Sequence, residues 1–160
     1  MTVQFSESAL EQFSHVLKKY PNKEAALLPL LHLAKKEFKV ISLEVMEYLA
    51  KLLDISPVKV MEVVSFYTLF PRNEEGKFVI QVCATLSCSL MGANSVLNYL
   101  QEKLGISVGE TTPDKFFTIK KVECLGSCGT APVIQINDDY YENLTRSKLD
   151  KILSDLKKNS

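Results

Sequence analysis

Glycine, proline and surplus charge are all scarce in this chain of 160 residues. Glycine and proline number only six each, whereas 46% of the residues are hydrophobic, so the composition excludes a disordered or fibrous chain and indicates a globular protein. The 19 basic residues are matched by 19 acidic ones, which leaves no positive surplus of the kind that nucleic-acid binding uses. A chain with so little net charge is expected to associate with other proteins.

Long apolar runs and targeting signals are also missing. The most apolar stretch, Ala25–Ala34, contains Pro29 and His32 and is far shorter than the roughly 20 residues of a membrane-spanning helix. Residues 1–10 have neither the basic and apolar segments of a secretory signal nor the arginines of a mitochondrial transit peptide. We therefore expect a cytosolic protein, in which four cysteines indicate metal binding or redox chemistry rather than structural disulfides.

Hydrophobic residues at helical spacing near the amino terminus predict a small bundle of four helices. The predicted ranges are Ser8–Lys19, Glu24–Phe38, Ser42–Asp54, and a last helix from Pro57 to between Phe66 and Phe70. Ser8 with Glu11 forms a capping-box pattern, and Ser56 followed by Pro57 is typical of a helix start. Pro29 should kink the second helix or mark a late start.

The short polar segment Pro71–Gly76 predicts a boundary, which gives two domains, residues 1–72 and residues 73–160. Adjacent helices could suggest a DNA-binding helix-turn-helix, but the charges before the boundary are balanced, so we discard that interpretation.

The second domain alternates between strands and helices. The predicted strands are Lys77–Val82, Phe116–Val122, Val133–Ile136 and Tyr140–Glu142. One helix is expected over Leu90–Leu104 with Gly105 as its C-cap, and a last helix is expected with Ser147 and Asp150 as its cap. The crossover makes the first two strands parallel, and the final hairpin adds antiparallel pairing. The predicted class is α+β, with a helical bundle followed by a mixed β-sheet flanked by helices.

The four cysteines have the spacing Cys-x₄-Cys, then 35 residues, then Cys-x₃-Cys. Cys83 follows the first predicted strand and Cys124 follows the second, so both should emerge at the edge where open α/β sheets bind ligands. Cys88 is expected near the start of the helix, whose dipole favours a thiolate. Because Cys128 lies close to Cys124 in sequence, all four sulfurs should converge in a shallow site at the sheet edge.

Four converging thiolates are the ligand set of a [2Fe–2S] cluster, which needs two on each iron. The natural partition is Cys83 with Cys88 on one iron and Cys124 with Cys128 on the other. The intervening residues are mostly small or turn-forming, and their backbone N–H groups can point at sulfur. Gly126 and Gly129 should allow the backbone angles that these loops need.

Three other interpretations of the cysteines remain open from spacing alone. A structural zinc site also uses four cysteines, usually in pairs separated by two to four residues. A dithiol enzyme would require Cys-x-x-Cys, which neither pair has, and four inert buried thiols would not be expected beside glycine loops. No catalytic constellation appears elsewhere, because His15 and His32 lie on predicted helices far from every cysteine, and no phosphate-binding glycine loop is present.

Three segments resemble one known family. They are Val64–Phe70 (VSFYTLF), Val82–Cys88 (VCATLSC) and Glu123–Thr145 (ECLGSCGTAPVIQINDDYYENLT). Together they resemble the thioredoxin-like [2Fe–2S] subunit of bacterial NADH:quinone oxidoreductase, which is respiratory complex I. The resemblance covers nearly the whole chain.

This resemblance implies a thioredoxin-like fold for residues 73–160 and a partner-docking role for residues 1–72. It implies that Cys83, Cys88, Cys124 and Cys128 hold one [2Fe–2S] cluster. The partner would be the flavoprotein subunit, which binds FMN and NADH and passes single electrons to this cluster. The chain would lie in the peripheral arm at the cytoplasmic face of the inner membrane, as a non-catalytic subunit. The same module occurs in NAD-linked hydrogenases and formate dehydrogenases, which remain alternatives.

Overall fold

A computed structural model describes residues 3–158 of the chain. The chain divides into two compact units, Met1–Glu74 and Glu75–Ser160. Among the described residues, the first unit is helical and the second contains a β-sheet. The assignment of residues 1–72 to docking and of residues 73–160 to cluster binding stays a prediction. No helix within residues 3–158 is long and apolar enough to cross a membrane.

The first unit contains four α-helices within its described residues, as predicted. They are α1 (Glu7–Leu17), α2 (Leu27–Phe38), α3 (Leu43–Leu53) and α4 (Pro57–Phe66). A short 3₁₀ turn, Glu24–Ala26, precedes α2. Pro29 therefore lies in the first turn of α2, where the N–H that proline lacks would have no helical partner, and it marks the late start rather than a kink.

Local capping explains where these helices begin. Ser42 precedes α3 and accepts a hydrogen bond from the Val45 N–H, while Ser56 precedes α4 with Pro57 as the first helical residue. The predicted capping box of Ser8 and Glu11 is wrong. The helix begins earlier, at Glu7, and Ser6 accepts the capping hydrogen bond from the Ala9 N–H at 3.3 Å.

Apolar side chains from all four helices form the core of the first unit. Leu30, Leu31, Leu49, Leu53 and Val60 are fully buried. Each such side chain contributes roughly 1.5–3 kcal/mol to the free energy of unfolding through burial.

The second unit is a mixed four-stranded sheet with helices between and after its strands. Its elements are β1 (Phe78–Cys83), α5 (Leu86–Leu90), α6 (Ala93–Leu104), β2 (Phe117–Val122), β3 (Ile134–Ile136), β4 (Asp139–Tyr141) and α7 (Arg146–Lys158). The strand order is β2-β1-β3-β4. β1 runs parallel to β2 and antiparallel to β3, and β3 pairs antiparallel with β4, as the crossover and the hairpin predicted. The core includes Ile80, Leu100, Ile119, Ile134 and Leu149.

Two helix boundaries differ from the prediction. The expected helix Leu90–Leu104 is in fact two helices, because Gly92 adopts a φ of +94° that only glycine takes readily, and this ends α5 before α6 begins. The cap of α7 is Thr145 rather than Ser147 and Asp150. Thr145 accepts a hydrogen bond from the Lys148 N–H at 3.2 Å, since the helix begins at Arg146.

Candidate metal centre

The two parallel strands bring two of the cysteines to the same edge of the sheet. Cys83 is the last residue of β1 and is in register with Val122, the last residue of β2. Cys124 follows two residues later. Both thiols therefore emerge beyond the carboxyl ends of the parallel strands, as the sequence predicted.

The other two cysteines lie in short helical turns rather than at a long helix. Cys88 is the third residue of α5, which has only five residues, so the predicted position at the start of the Leu90–Leu104 helix is wrong. Cys128 begins a 3₁₀ turn, Cys128–Thr130. α5 begins shortly after β1 ends, and Gly92 separates it from α6.

The thiols approach one another as two pairs. The sulfurs of Cys124 and Cys128 are 3.9 Å apart. The thiols of Cys83 and Cys88 shift each other's pKa, lowering that of Cys83 and raising that of Cys88, and the charge of Cys128 also raises the pKa of Cys88. Among residues 3–158, no three or more His, Cys, Asp or Glu side chains are placed to hold a single metal ion. Two pairs fit the two irons of a [2Fe–2S] cluster, which takes two thiolates on each.

Burial differs sharply between the two pairs. Cys83 and Cys88 are only 3% and 2% exposed, and they pack with Ala131, Val133 and Leu125. Cys124 and Cys128 are exposed. The expectation of a shallow site at both loops is therefore correct only for the second pair, because α5 folds its cysteine inward.

The buried thiol of Cys83 is surrounded by hydrogen-bond donors. Burial raises its pKa, but hydrogen bonds from the hydroxyl and amide of Thr85 and from the amide of Leu125 outweigh burial, so the net pKa is lowered. The Thr85 hydroxyl oxygen lies 3.3 Å from the sulfur. These donors favour the thiolate, which is the form that binds iron.

Cys88 behaves differently. Burial raises the pKa of its thiol, and the hydrogen bond with Cys83 raises it further. The Val133 amide donates to this sulfur and opposes the rise. Val133 was not predictable as part of the site, because a valine amide carries no sequence signal and only the fold brings it to Cys88.

The exposed pair lies on a loop whose shape depends on glycine. Gly126 has a φ of +80°, as predicted, and its N–H donates to the Cys124 sulfur at 3.3 Å. The same expectation for Gly129 is wrong, because Gly129 is part of the 3₁₀ turn and has no positive φ. The hydroxyl of Tyr140 and the carboxylate of Glu142 also contact this loop. Neither residue was predicted from the sequence to take part in the site.

The two histidines are remote from this site in sequence and lie on α1 and α2 of the first unit, as expected. His32 packs its ring edge against Phe70, with centroids 5.3 Å apart.

Residues 13–157 match the family described as thioredoxin-like [2Fe–2S] ferredoxin. The chain belongs to this ferredoxin family. The match favours the iron–sulfur interpretation of the cysteines over the zinc and dithiol interpretations, and it supports the thioredoxin-like α+β fold. The cysteine pairs and their N–H donors fit such a cluster.

Two curated relatives of this ferredoxin-family chain come from bacteria. It is 42% identical over 155 residues to the E subunit of NADH-quinone oxidoreductase from Rickettsia conorii, and the alignment covers 95% of this chain and 93% of the relative. It is 45% identical over 156 residues to NADH-quinone oxidoreductase subunit 2 of Thermus thermophilus, covering 96% and 86%.

A solved structure of an NAD⁺-reducing [NiFe]-hydrogenase in the air-oxidized state is also similar, with a TM-score of 0.69 and 20% identity. The alignment covers 83% of this chain and 23% of that chain. At this identity the likeness concerns the fold alone.

Proposed function

We propose that this chain is an electron-transfer subunit of NADH:quinone oxidoreductase that holds one [2Fe–2S] cluster on Cys83, Cys88, Cys124 and Cys128. The observation that carries the proposal is the pairing of thiols at one sheet edge, after the parallel strands β1 and β2. It occurs in a chain 42% identical, over nearly its whole length, to a subunit of an NADH-quinone oxidoreductase. The chain would be part of an enzyme without having a substrate site of its own.

The chemistry of this site is divided between the cluster and the chain. A bound iron–sulfur cluster supplies one-electron transfer. The chain supplies two thiol pairs and directs the amides of Leu125, Gly126 and Val133 toward sulfur. These donors stabilise negative charge on the thiolates and so contribute to the reduction potential.

The partner would be the flavoprotein subunit that binds FMN and NADH. Three large apolar residues around Cys88 are exposed: Leu86 at 75%, Leu90 at 77% and Met91 at 61%. An exposed apolar surface of this kind, on and directly after the helix that carries Cys88, is typical of a protein–protein contact. Docking there would bring the flavin toward the exposed sulfurs and remove water from them.

Residues 1–72 would supply a second part of this interface, while residues 73–160 would carry the cluster. α4 exposes Val58, Met61 and Phe66, and Phe66 is 77% exposed. Within the peripheral arm of the complex, the chain would lie at the cytoplasmic face of the inner membrane.

The alternative is the equivalent subunit of an NAD-linked hydrogenase or formate dehydrogenase, and a hydrogenase chain shares the fold. The identity of 42% to a quinone-linked subunit favours the respiratory complex more strongly. The neighbouring genes separate the two: a run of membrane subunits supports the proposal, and a hydrogenase large subunit supports the alternative.

Anaerobic EPR tests the proposal directly. The purified chain should contain iron and acid-labile sulfide in equal amounts and give a spin-½ signal after dithionite reduction. NADH alone should leave it oxidised, whereas NADH with the flavoprotein subunit should reduce it. A colourless protein with stoichiometric zinc, or rapid reduction by NADH without any partner, would contradict the proposal.

A further inference from the structure

The loop that carries Cys124 and Cys128 is held by the hairpin that follows it. Residues 123–127 form neither helix nor strand, and both thiols of this loop are exposed. The hydroxyl of Tyr140 in β4 donates a hydrogen bond to the Leu125 carbonyl oxygen at 2.9 Å. The Leu125 carbonyl belongs to the same peptide unit as the Gly126 N–H, which donates to the Cys124 sulfur at 3.3 Å, so this contact fixes a peptide that touches a thiol of the loop.

A carboxylate two residues later holds the other half of the loop. The hydroxyls of Ser127 and Thr130 both donate a hydrogen bond to Oε1 of Glu142. The Thr130 hydroxyl oxygen lies 2.7 Å from that carboxylate oxygen. The two hydroxyl oxygens are 2.8 Å apart, so they form one compact cluster around the same acceptor. Ser127 precedes Cys128 directly, and the bonds therefore act on the backbone next to a thiol.

Glu142 is itself fixed in place. The ammonium group of Lys148 donates to its carbonyl oxygen at 2.5 Å, and the next residue, Asn143, donates its N–H to the Thr130 carbonyl oxygen at 2.7 Å. The hydrogen bonds from Ser127 and then Thr130 lower the pKa of the Glu142 carboxyl. An ionised acceptor makes these bonds stronger than bonds between neutral groups.

We propose that Tyr140 and Glu142 are positioning residues that hold the Cys124–Cys128 loop in its iron-binding shape before the cluster is inserted. The inference rests on the proposed function, which assigns these thiols to the cluster. An exposed loop without secondary structure would otherwise have to be ordered by the cluster itself. Hydrogen bonds with Tyr140 in β4 and with Glu142 directly after it order the loop in the chain alone, as supporting contacts around metal ligands do.

The test compares variants of the full chain, loaded with the cluster anaerobically. Glu142→Ala removes the acceptor, while Glu142→Gln keeps an oxygen that can accept both hydroxyls but loses the charge. Asp138→Asn removes the same charge from the exposed turn between β3 and β4 and serves as the matched control. Cluster loss to an iron chelator is followed by visible absorbance, and the reduced cluster is examined by EPR.

We expect Glu142→Ala to lose the cluster at least about tenfold faster than the unsubstituted chain, because hydrogen bonds to a charged acceptor are lost. Its EPR line shape should change, since Cys128 is no longer held in position. Glu142→Gln should fall between Glu142→Ala and the unsubstituted chain, because it keeps the acceptor oxygen but not the charge, and Asp138→Asn should match the unsubstituted chain.

If Glu142→Ala does not fold, the double substitution of Ser127 and Thr130 by alanine tests the same bonds from the other side. Tyr140→Phe, which removes one hydroxyl, tests the Leu125 contact. Unchanged cluster loss and EPR in these variants, or equal effects from Asp138→Asn, would overturn the inference while leaving the proposed function intact. Failure of the unsubstituted chain to hold a cluster would overturn both.

Discussion

Replacing Gly126 by alanine tests whether the shape of the exposed loop matters to the cluster. Gly126 has a φ of +80°, and its N–H donates to the Cys124 sulfur at 3.3 Å. A Cβ added there would meet no atom within 4 Å, so the cost lies entirely in the backbone. An L-residue in the left-handed region costs about 1–2 kcal/mol. Relaxing that φ would turn the amide away from the sulfur.

The expected result is a roughly five- to thirtyfold weaker retention of the cluster, the factor that corresponds to 1–2 kcal/mol. The assay is bleaching of the visible absorbance under anaerobic conditions with an excess of iron chelator. Gly129→Ala is the matched control, because Gly129 has open space for a Cβ and no positive φ. Equal rates for Gly126→Ala and the unsubstituted chain, or equally fast loss in Gly129→Ala, would refute the reasoning.

Three further predictions concern the ligands, the sheet and the interface. Replacing any one of the four cysteines by alanine should remove the cluster or make it labile, which the iron and sulfide content of the variant measures. If two of the four cysteines can be replaced without loss of the cluster, the ligand assignment is wrong. Gly76→Ala should destabilise the second unit by about 1–3 kcal/mol, because the added Cβ would lie 2.8 Å from the carbonyl carbon of Phe117. Thermal unfolding measures this, and an unchanged melting temperature would contradict it. Phe66→Ser should leave the cluster spectrum unchanged but weaken binding to the flavoprotein subunit by at least about fivefold in calorimetry, and full affinity would exclude α4 from the interface.

Much of the fold was predictable because its signals are local. Ser42, Ser56 and Pro57 define two helix starts through hydrogen bonds and backbone angles that involve only neighbouring residues. The parallel pairing of β1 and β2 followed from the crossover between them, and the antiparallel hairpin followed from its short turn. The start of α1 was missed because serine is a favoured cap at both Ser6 and Ser8, and it is Ser6 that accepts the capping hydrogen bond.

The cysteine site was predictable only in part. Spacing placed Cys83 and Cys124 at one edge of the sheet, because the ends of parallel strands meet there. Spacing could not show that α5 turns Cys88 inward while Cys124 and Cys128 stay exposed, since burial depends on residues far away in sequence. The resemblance in the Glu123–Thr145 segment, rather than the spacing, separated iron–sulfur from zinc.

The amino-acid sequence by itself determined the strand order, most of the helices, the four thiols and the family, because caps, periodicity and motif residues act over a few positions. The tertiary structure alone decided which groups surround the sulfurs. Val133 reaches Cys88 across 45 residues of sequence, and Glu142 reaches Ser127 from beyond the hairpin. Such contacts carry no local signal, because an amide or a carboxylate becomes a partner of sulfur or of a ligand loop only when the sheet has brought the two segments together.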